Sequence, residues 1–263
     1  MVMKKNKFGF FAAIVALFFV FSACENGQKT NSTKVNPLSY KIDTIMVKDT
    51  ACGTLSLAKC THVLVEYPVF SGDHADLPNR VVQRRMVYLL GQGDVNPEKD
   101  VTLIMLAKKF VRQYDEFKKE FPDTPQTWFF RLKTTLNYNE NGILSISLNS
   151  LQYTGGAHNL SNKMLLNFDE KTGRFVNVVD QIKDTAAFKK LAEQYFRRQM
   201  KLKPNADLNR DGHFLFPNDR FKLPINMGYG KKGYILYYNE YEITPYAMGP
   251  VTLVIPYHVV KTK

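Results

Sequence analysis

From Trp128 to Tyr138 the chain alternates. Trp128, Phe130, Leu132, Thr134, Leu136 and Tyr138 fall on one parity, and Phe129, Arg131, Lys133, Thr135 and Asn137 on the other. A period of two puts one set on a single face of a strand, whereas a helix would scatter it. The turn sequence "NENG", Asn139 to Gly142, follows. Leu144, Ile146 and Leu148 then alternate with Ser145, Ser147 and Asn149, and Met164, Leu166 and Phe168 mark a third strand closed by "EKTG" at Glu170 to Gly173. The pattern describes an antiparallel meander with one buried and one wet face.

Around this meander the blocks segregate. "THVLVEYPVFSG", Thr61 to Gly72, reads as a strand. Leu77-Pro78 opens a helix running to about Leu90. A second helix spans Val101 to Phe121, with Leu103, Leu106, Phe110, Tyr114 and Phe117 at threes and fours. Asp184 is placed to cap a helix reaching about Leu202, and "GYILYYNEYE" and "VTLVIPYHVV" are further strands. Helices and strands that cluster rather than alternate indicate an α+β fold. The expected architecture is an antiparallel sheet meander with helices packed on one face, in two intimately associated subdomains, 40–158 and 159–263.

The N-terminus carries an address. Lys4, Lys5 and Lys7 precede the apolar run Phe8 to Phe21, which ends in Ser22-Ala23-Cys24. A basic start, a short apolar run and small residues before a cleavage point describe a secretory signal, residues 1–23. The Cys24 that follows resembles the lipobox of bacterial lipoproteins; the alternative is an ordinary signal peptide with a chance cysteine. The resemblance implies cleavage before Cys24, its acylation, and a chain anchored to the cell envelope, facing periplasm or cell surface. The polar stretch over 24–39 then reads as a flexible tether. Loss of the three signal lysines lowers the net charge from +12 to +9. An exported basic chain meets phospholipid headgroups, acidic glycans or acidic proteins, and not cytoplasmic nucleic acid. Scattered surface lysines without such a role would look the same.

With Cys24 acylated, Cys52 and Cys60 remain, either as a disulfide suited to an oxidising compartment or as free thiols, the disulfide being favoured. Their spacing is not that of a metal site. "DLNRDG" matches the opening of a calcium loop at Asp207, Asn209, Asp211 and Gly212, but Asn218 stands where the bidentate carboxylate belongs. A polar turn without metal is therefore favoured over calcium, and no cofactor is required. There is no Gly-x-Ser-x-Gly elbow, no His-Glu-x-x-His helix and no phosphate loop, and the five histidines are scattered. Tyr234, Tyr237, Tyr238, Tyr241 and Tyr246 crowd together and suit either a sugar- or peptide-binding surface or ordinary strand packing.

"YEITPYAMGPVTLVIPY", Tyr241 to Tyr257, together with "YTGGAH", Tyr153 to His158, and "VEYPVFSG" resembles the extracytoplasmic domain of RsiV-type anti-sigma factors, a domain also found beside polysaccharide deacetylases such as PdaC. The resemblance spans nearly all of 60–258. It implies a receptor domain that binds lysozyme and has no known catalysis. Where the anti-sigma factors have a cytoplasmic segment and a membrane helix, this chain shows the lipobox, and it carries no deacetylase zinc motif, so neither sigma release nor deacetylation is expected. A basic lysozyme-like protein would need a local acidic patch on this basic chain, for which Glu240 and Glu242 are the candidates.

Three readings follow. The first is a non-enzymatic envelope receptor for a peptidoglycan or acidic glycan or for a cell-wall-active protein, its ligand held by Tyr153, His158, Glu240, Tyr241, Glu242 and Tyr246. The second is a cell-wall-modifying hydrolase assembled from dispersed groups around His158. The third is a structural envelope lipoprotein. The pair Gly155-Gly156 is expected to turn the chain, with His158 tying that turn to the Glu242–Gly249 segment.

Overall fold

The structure is a computed structural model describing residues 36–93 and 101–263. The expected signal, Cys24 and the tether as far as residue 35 lie outside the described residues. At Asn36 the chain is already held, its backbone N–H donating to Asp73 Oδ2 at 2.9 Å.

Five strands make the larger sheet, in the order β1 (Ser39–Lys48), β2 (His62–Ser71), β3 (Phe129–Glu140), β4 (Ile143–Tyr153) and β5 (Leu160–Asp169). The fold is α+β, and β3, β4 and β5 are the antiparallel meander that the alternation announces. Strands β2 and β3, however, run parallel. A parallel pair requires a long crossover, and α1 (Asp76–Leu90) and α2 (Leu103–Glu120) provide it. Thr102 Oγ1 accepts from Met105 N to start α2, and Pro122 follows its end. Strand β1 is an addition, pairing antiparallel with β2 at the sheet edge; "SYKIDTIMVK" has no clean alternation to reveal it.

Val63, Val65, Leu132, Ile146 and Leu148 from the sheet pack against Val82, Met86, Leu106 and Phe110 from the two helices. Each such side chain withdrawn from water contributes about 1.5–3 kcal/mol. Between the first two strands, Cys52 and Cys60 are joined by a disulfide.

A second layer holds β6 (Met227–Gly230), β7 (Gly233–Tyr238) and β8 (Val251–Ile255), in that order. The short α3 (Val178–Gln181) precedes α4 (Thr185–Gln199), which Asp184 caps by accepting from Ala187 N at 2.9 Å. Helix α4 stops before the expected Leu202 because Lys201 turns to φ 55°. Phe188, Phe196, Phe214, Phe216 and Phe221 fill the space under Leu236, Tyr238 and Leu253.

The wet face of the meander is dry at one end. Ser145 and Asn167 are fully buried because β6 lies over them. Ser145 Oγ donates to Asn167 Oδ1 at 2.7 Å, and Tyr229 N donates to Ser145 Oγ at 3.3 Å. Asn167 Nδ2 donates to the carbonyls of Val176 and Met227. A Cβ on Gly228 would sit 3.1 Å from Asn167 Oδ1 and 3.2 Å from Ser145 Oγ, so glycine permits this close approach.

Candidate functional site

Strand β4 ends in the stretch "QYTGGAHN". Gly155 and Gly156 take φ of 93° and 101°, a region L-residues avoid. The Tyr153 hydroxyl donates to the Gly156 carbonyl at 3.0 Å and closes the turn. The turn delivers His158 to the loop between β7 and β8. There its ring stacks on Tyr246 with centroids 3.7 Å apart and planes at 14°. His158 Nδ1 lies 3.0 Å from the Asn159 carbonyl, which can only accept, so Nδ1 carries a proton. In the neutral ring Nε2 then accepts from the Tyr241 hydroxyl, 3.3 Å away. Tyr241 in turn stacks near Tyr246, centroids 6.3 Å apart.

This shelf faces solvent: Tyr241 is 53%, Tyr246 37% and Met248 47% exposed. Its backbone is fixed from behind. Tyr241 takes φ 68°, unusual for a side chain of its size, and donates its N–H to the Thr244 carbonyl at 2.9 Å, while Thr244 Oγ1 donates to the Gly249 carbonyl at 2.6 Å. Asn239 fastens the loop to β5, accepting from Lys163 N and donating to the Lys163 carbonyl.

Two carboxylates flank the rings. Glu240 Oε1 accepts from Ser161 Oγ at 2.8 Å, and Glu242 Oε1 accepts from Asn239 Nδ2 at 3.2 Å. Glu240 Oε2 is buried and has no hydrogen-bond partner among the described residues. Lys163 Nζ lies 4.5 Å from the Tyr237 ring centroid. Burial, and then Glu240 and Glu242, push the Tyr237 hydroxyl up from its ordinary value. A groove of about 450 Å³ along the outer edge of β5 reaches Glu242, with Met164, Phe216 and Ile243 among its lining.

Of the six residues the sequence nominated, His158, Tyr241 and Tyr246 form one stack, with Glu240 and Glu242 on the same loop. Tyr153 stands apart. Its hydroxyl closes the glycine turn and its ring lies 6.2 Å from Phe129. Of the five crowded tyrosines, Tyr234, Tyr237 and Tyr238 are buried, because β7 is the central strand of its sheet and is covered on both faces.

The acidic loop engages itself. Asp207 Oδ1 accepts from Arg210 N and Asp211 Oδ2 from Asp207 N. Asp211 Oδ1 also meets Arg210 Nε at 3.0 Å. The bond from Arg210 N holds the Asp207 carboxyl below its usual value, and the Arg210 guanidinium does the same for Asp211. Asn209 bonds the backbone of Phe216 through both side-chain atoms. Among the described residues no three His, Cys, Asp or Glu side chains are arranged to hold a metal ion.

One polar pair was absent from the sequence reading. His62, wholly buried, has Nδ1 2.7 Å from the Cys60 carbonyl and accepts from Arg131 Nε at Nε2, 3.0 Å away. Burial lowers its pKa; the Cys60 bond opposes this and the Arg131 charge adds to it. Nothing in "KCTHVLV" marks His62, since its partner Arg131 lies 69 residues downstream.

A helix-covered five-stranded sheet joined by a buried polar seam to an aromatic-cored three-stranded sheet defines an α+β domain pair with an exposed aromatic shelf on the second member. Residues 55–161 match the family described as "Deacetylase PdaC" and residues 178–258 the family "Protein of unknown function (DUF3298)". The two matches follow one another along the chain, consistent with an RsiV-like, PdaC-type domain pair. A DUF3298-family protein from Bacteroides fragilis NCTC 9343 shares the fold with a TM-score of 0.60 at 20% identity, over 85% of this chain and 93% of that one. One from Pseudomonas aeruginosa PAO1 gives 0.58 at 20% identity, over 87% and 94%. No curated protein matches the chain.

Proposed function

We propose that the chain is a lipid-anchored cell-envelope binding protein, acylated at Cys24 and facing periplasm or cell surface. Its role is that of a non-enzymatic receptor for an envelope glycan or a cell-wall-active protein such as lysozyme. The observation that carries this reading is the His158–Tyr246–Tyr241 shelf. Rigid, exposed aromatic rings on a fastened loop are what a sugar ring or a protein side chain packs against at little entropic cost. Glu240 and Glu242 beside the rings give a basic chain an acidic spot, which suits a ligand that donates hydrogen bonds or carries positive charge.

The hydrolase reading needs a carboxylate to activate His158. Its two nitrogens meet the Asn159 carbonyl and the Tyr241 hydroxyl instead, and this arrangement supports an architectural and contact role. Interferometry of the full-length chain against peptidoglycan fragments and against lysozyme tests the receptor. Binding to one probe is expected, weakened about tenfold or more by Tyr246→Ala or Tyr241→Ala, as for truncation of a central aromatic contact. No binding to either probe, or binding that both variants leave unchanged, overturns the reading.

A further inference from the structure

On the helix-covered side of the large sheet, opposite to Tyr153, a cavity of about 410 Å³ opens where the end of α1 meets α2 and the β4 terminus. Leu90, Leu106 and Phe110 make its apolar wall, and Trp128, Gln152 and Lys109 contribute polar groups. Such a volume is in the range of small-molecule pockets, about 300–1,000 Å³.

Two donors in this lining stand without acceptors. Trp128 Nε1 and Gln152 Nε2 are buried and have no hydrogen-bond partner among the described residues. Gln152 is only 5% exposed. An unpaired buried donor costs about 1–3 kcal/mol, and native interiors leave few of them. Here both residues line one cavity. Gln152 also lines an adjoining cavity of about 200 Å³, where Asn162 Oδ1 is likewise unpartnered. The glycine turn makes room beside the indole: a Cβ on Gly155 would lie 3.8 Å from Trp128 Nε1.

Charge narrows the ligand. Among the described residues no Asp or Glu lines the larger cavity, and Lys109 is the ionisable side chain that does. Two N–H donors and an ammonium ask for an anionic oxygen acceptor, and the aromatic and aliphatic wall asks for a hydrocarbon body. We propose that this cavity binds a small carboxylate with an apolar body. The carboxylate accepts from Trp128 Nε1 and Gln152 Nε2 beside Lys109, and the hydrocarbon part rests on Phe110, Leu90 and Leu106. The site is independent of the tyrosine shelf, which lies past the same turn on the other layer.

Trp128 is the one tryptophan of the chain, so a single indole N–H resonance reports on the site. The experiment titrates the ¹⁵N-labelled full-length chain with phenylacetate and, separately, with the uncharged phenylacetamide. Phenylacetate is expected to move the indole resonance downfield and to saturate it at millimolar concentration, with phenylacetamide about tenfold weaker, the loss of one charge-assisted contact. Lys109 is exposed, so Lys109→Gln leaves the core intact; it should weaken phenylacetate by a similar factor and leave phenylacetamide unaffected. Trp128→Phe, followed through the Gln152 side-chain amide, should weaken both probes. An indole resonance that neither probe moves, or that both move equally with no effect of Lys109→Gln, overturns the proposal and leaves the two donors to water.

Discussion

The two halves of the molecule solve the same problem with different materials. The large sheet buries mostly aliphatic side chains, Val63, Val65, Leu132, Ile146 and Leu148, contributed by regular strands and two long helices. The small sheet is filled by rings. Phe196 lies 4.8 Å from Phe214, 5.3 Å from Phe216 and 5.5 Å from Phe221, and all three partners come from irregular chain between α4 and β6. Loops donate the core there because few large rings can cover a sheet of only three short strands. The halves then meet through hydrogen bonds, with Ser145 and Asn167 buried between them. A polar seam of this kind constrains register more than it adds stability, since each bond contributes about 0.5–1.5 kcal/mol net, while an orphaned partner costs about 1–3 kcal/mol.

Three perturbations probe this contrast. Phe196→Ala empties the middle of the ring cluster and should cost about 3–5 kcal/mol in denaturant unfolding. One cooperative transition would mean that the halves unfold together, whereas two transitions would mean that the seam does not couple them. Asn167→Ala should cost about 2–3 kcal/mol, because it orphans the Met227 and Val176 carbonyls and the Ser145 hydroxyl together. A cost below about 0.5 kcal/mol would show that water repairs the seam. The smallest effect is acid sensitivity of the large half. His62 has a folded pKa below its ordinary 6.5, so the fold holds fewer protons there than the unfolded chain. Its contribution is complete above about pH 6.5 and is lost as pH falls through that value toward the lower folded pKa. Thermal melts should therefore decline between pH 7 and 5, and His62→Gln should flatten that decline. An unchanged slope in the variant would move the acid sensitivity elsewhere.

What the sequence revealed follows from how local each signal is. The alternation of Trp128–Tyr138 and Leu144–Leu148, the Asp184 cap and the two helices are local, and all are present. The meeting of His158 with the Glu242–Gly249 segment was legible because a glycine pair and a lone histidine at a strand end have few uses. Strand β6, "MGYG", carries no periodicity and exists because glycine lets it approach Asn167. The parallel pairing of β2 with β3 depends on where the crossover returns, which composition does not encode. The donors of Trp128 and Gln152 looked like ordinary members of a strand pattern. Only packing reveals that they have no partner among the described residues.

Asn226 and Asn239 bear on how copies of this chain can associate. Strand β5 would be an open sheet edge, but Asn226 accepts from Leu165 N and donates to the Lys163 carbonyl, while Asn239 takes Lys163 N. Two side-chain amides thus stand in for a sixth strand. With that end of the large sheet closed and β1 at the other, edge-to-edge pairing of these sheets ends at two molecules. The larger sheet is thereby kept from seeding a fibre.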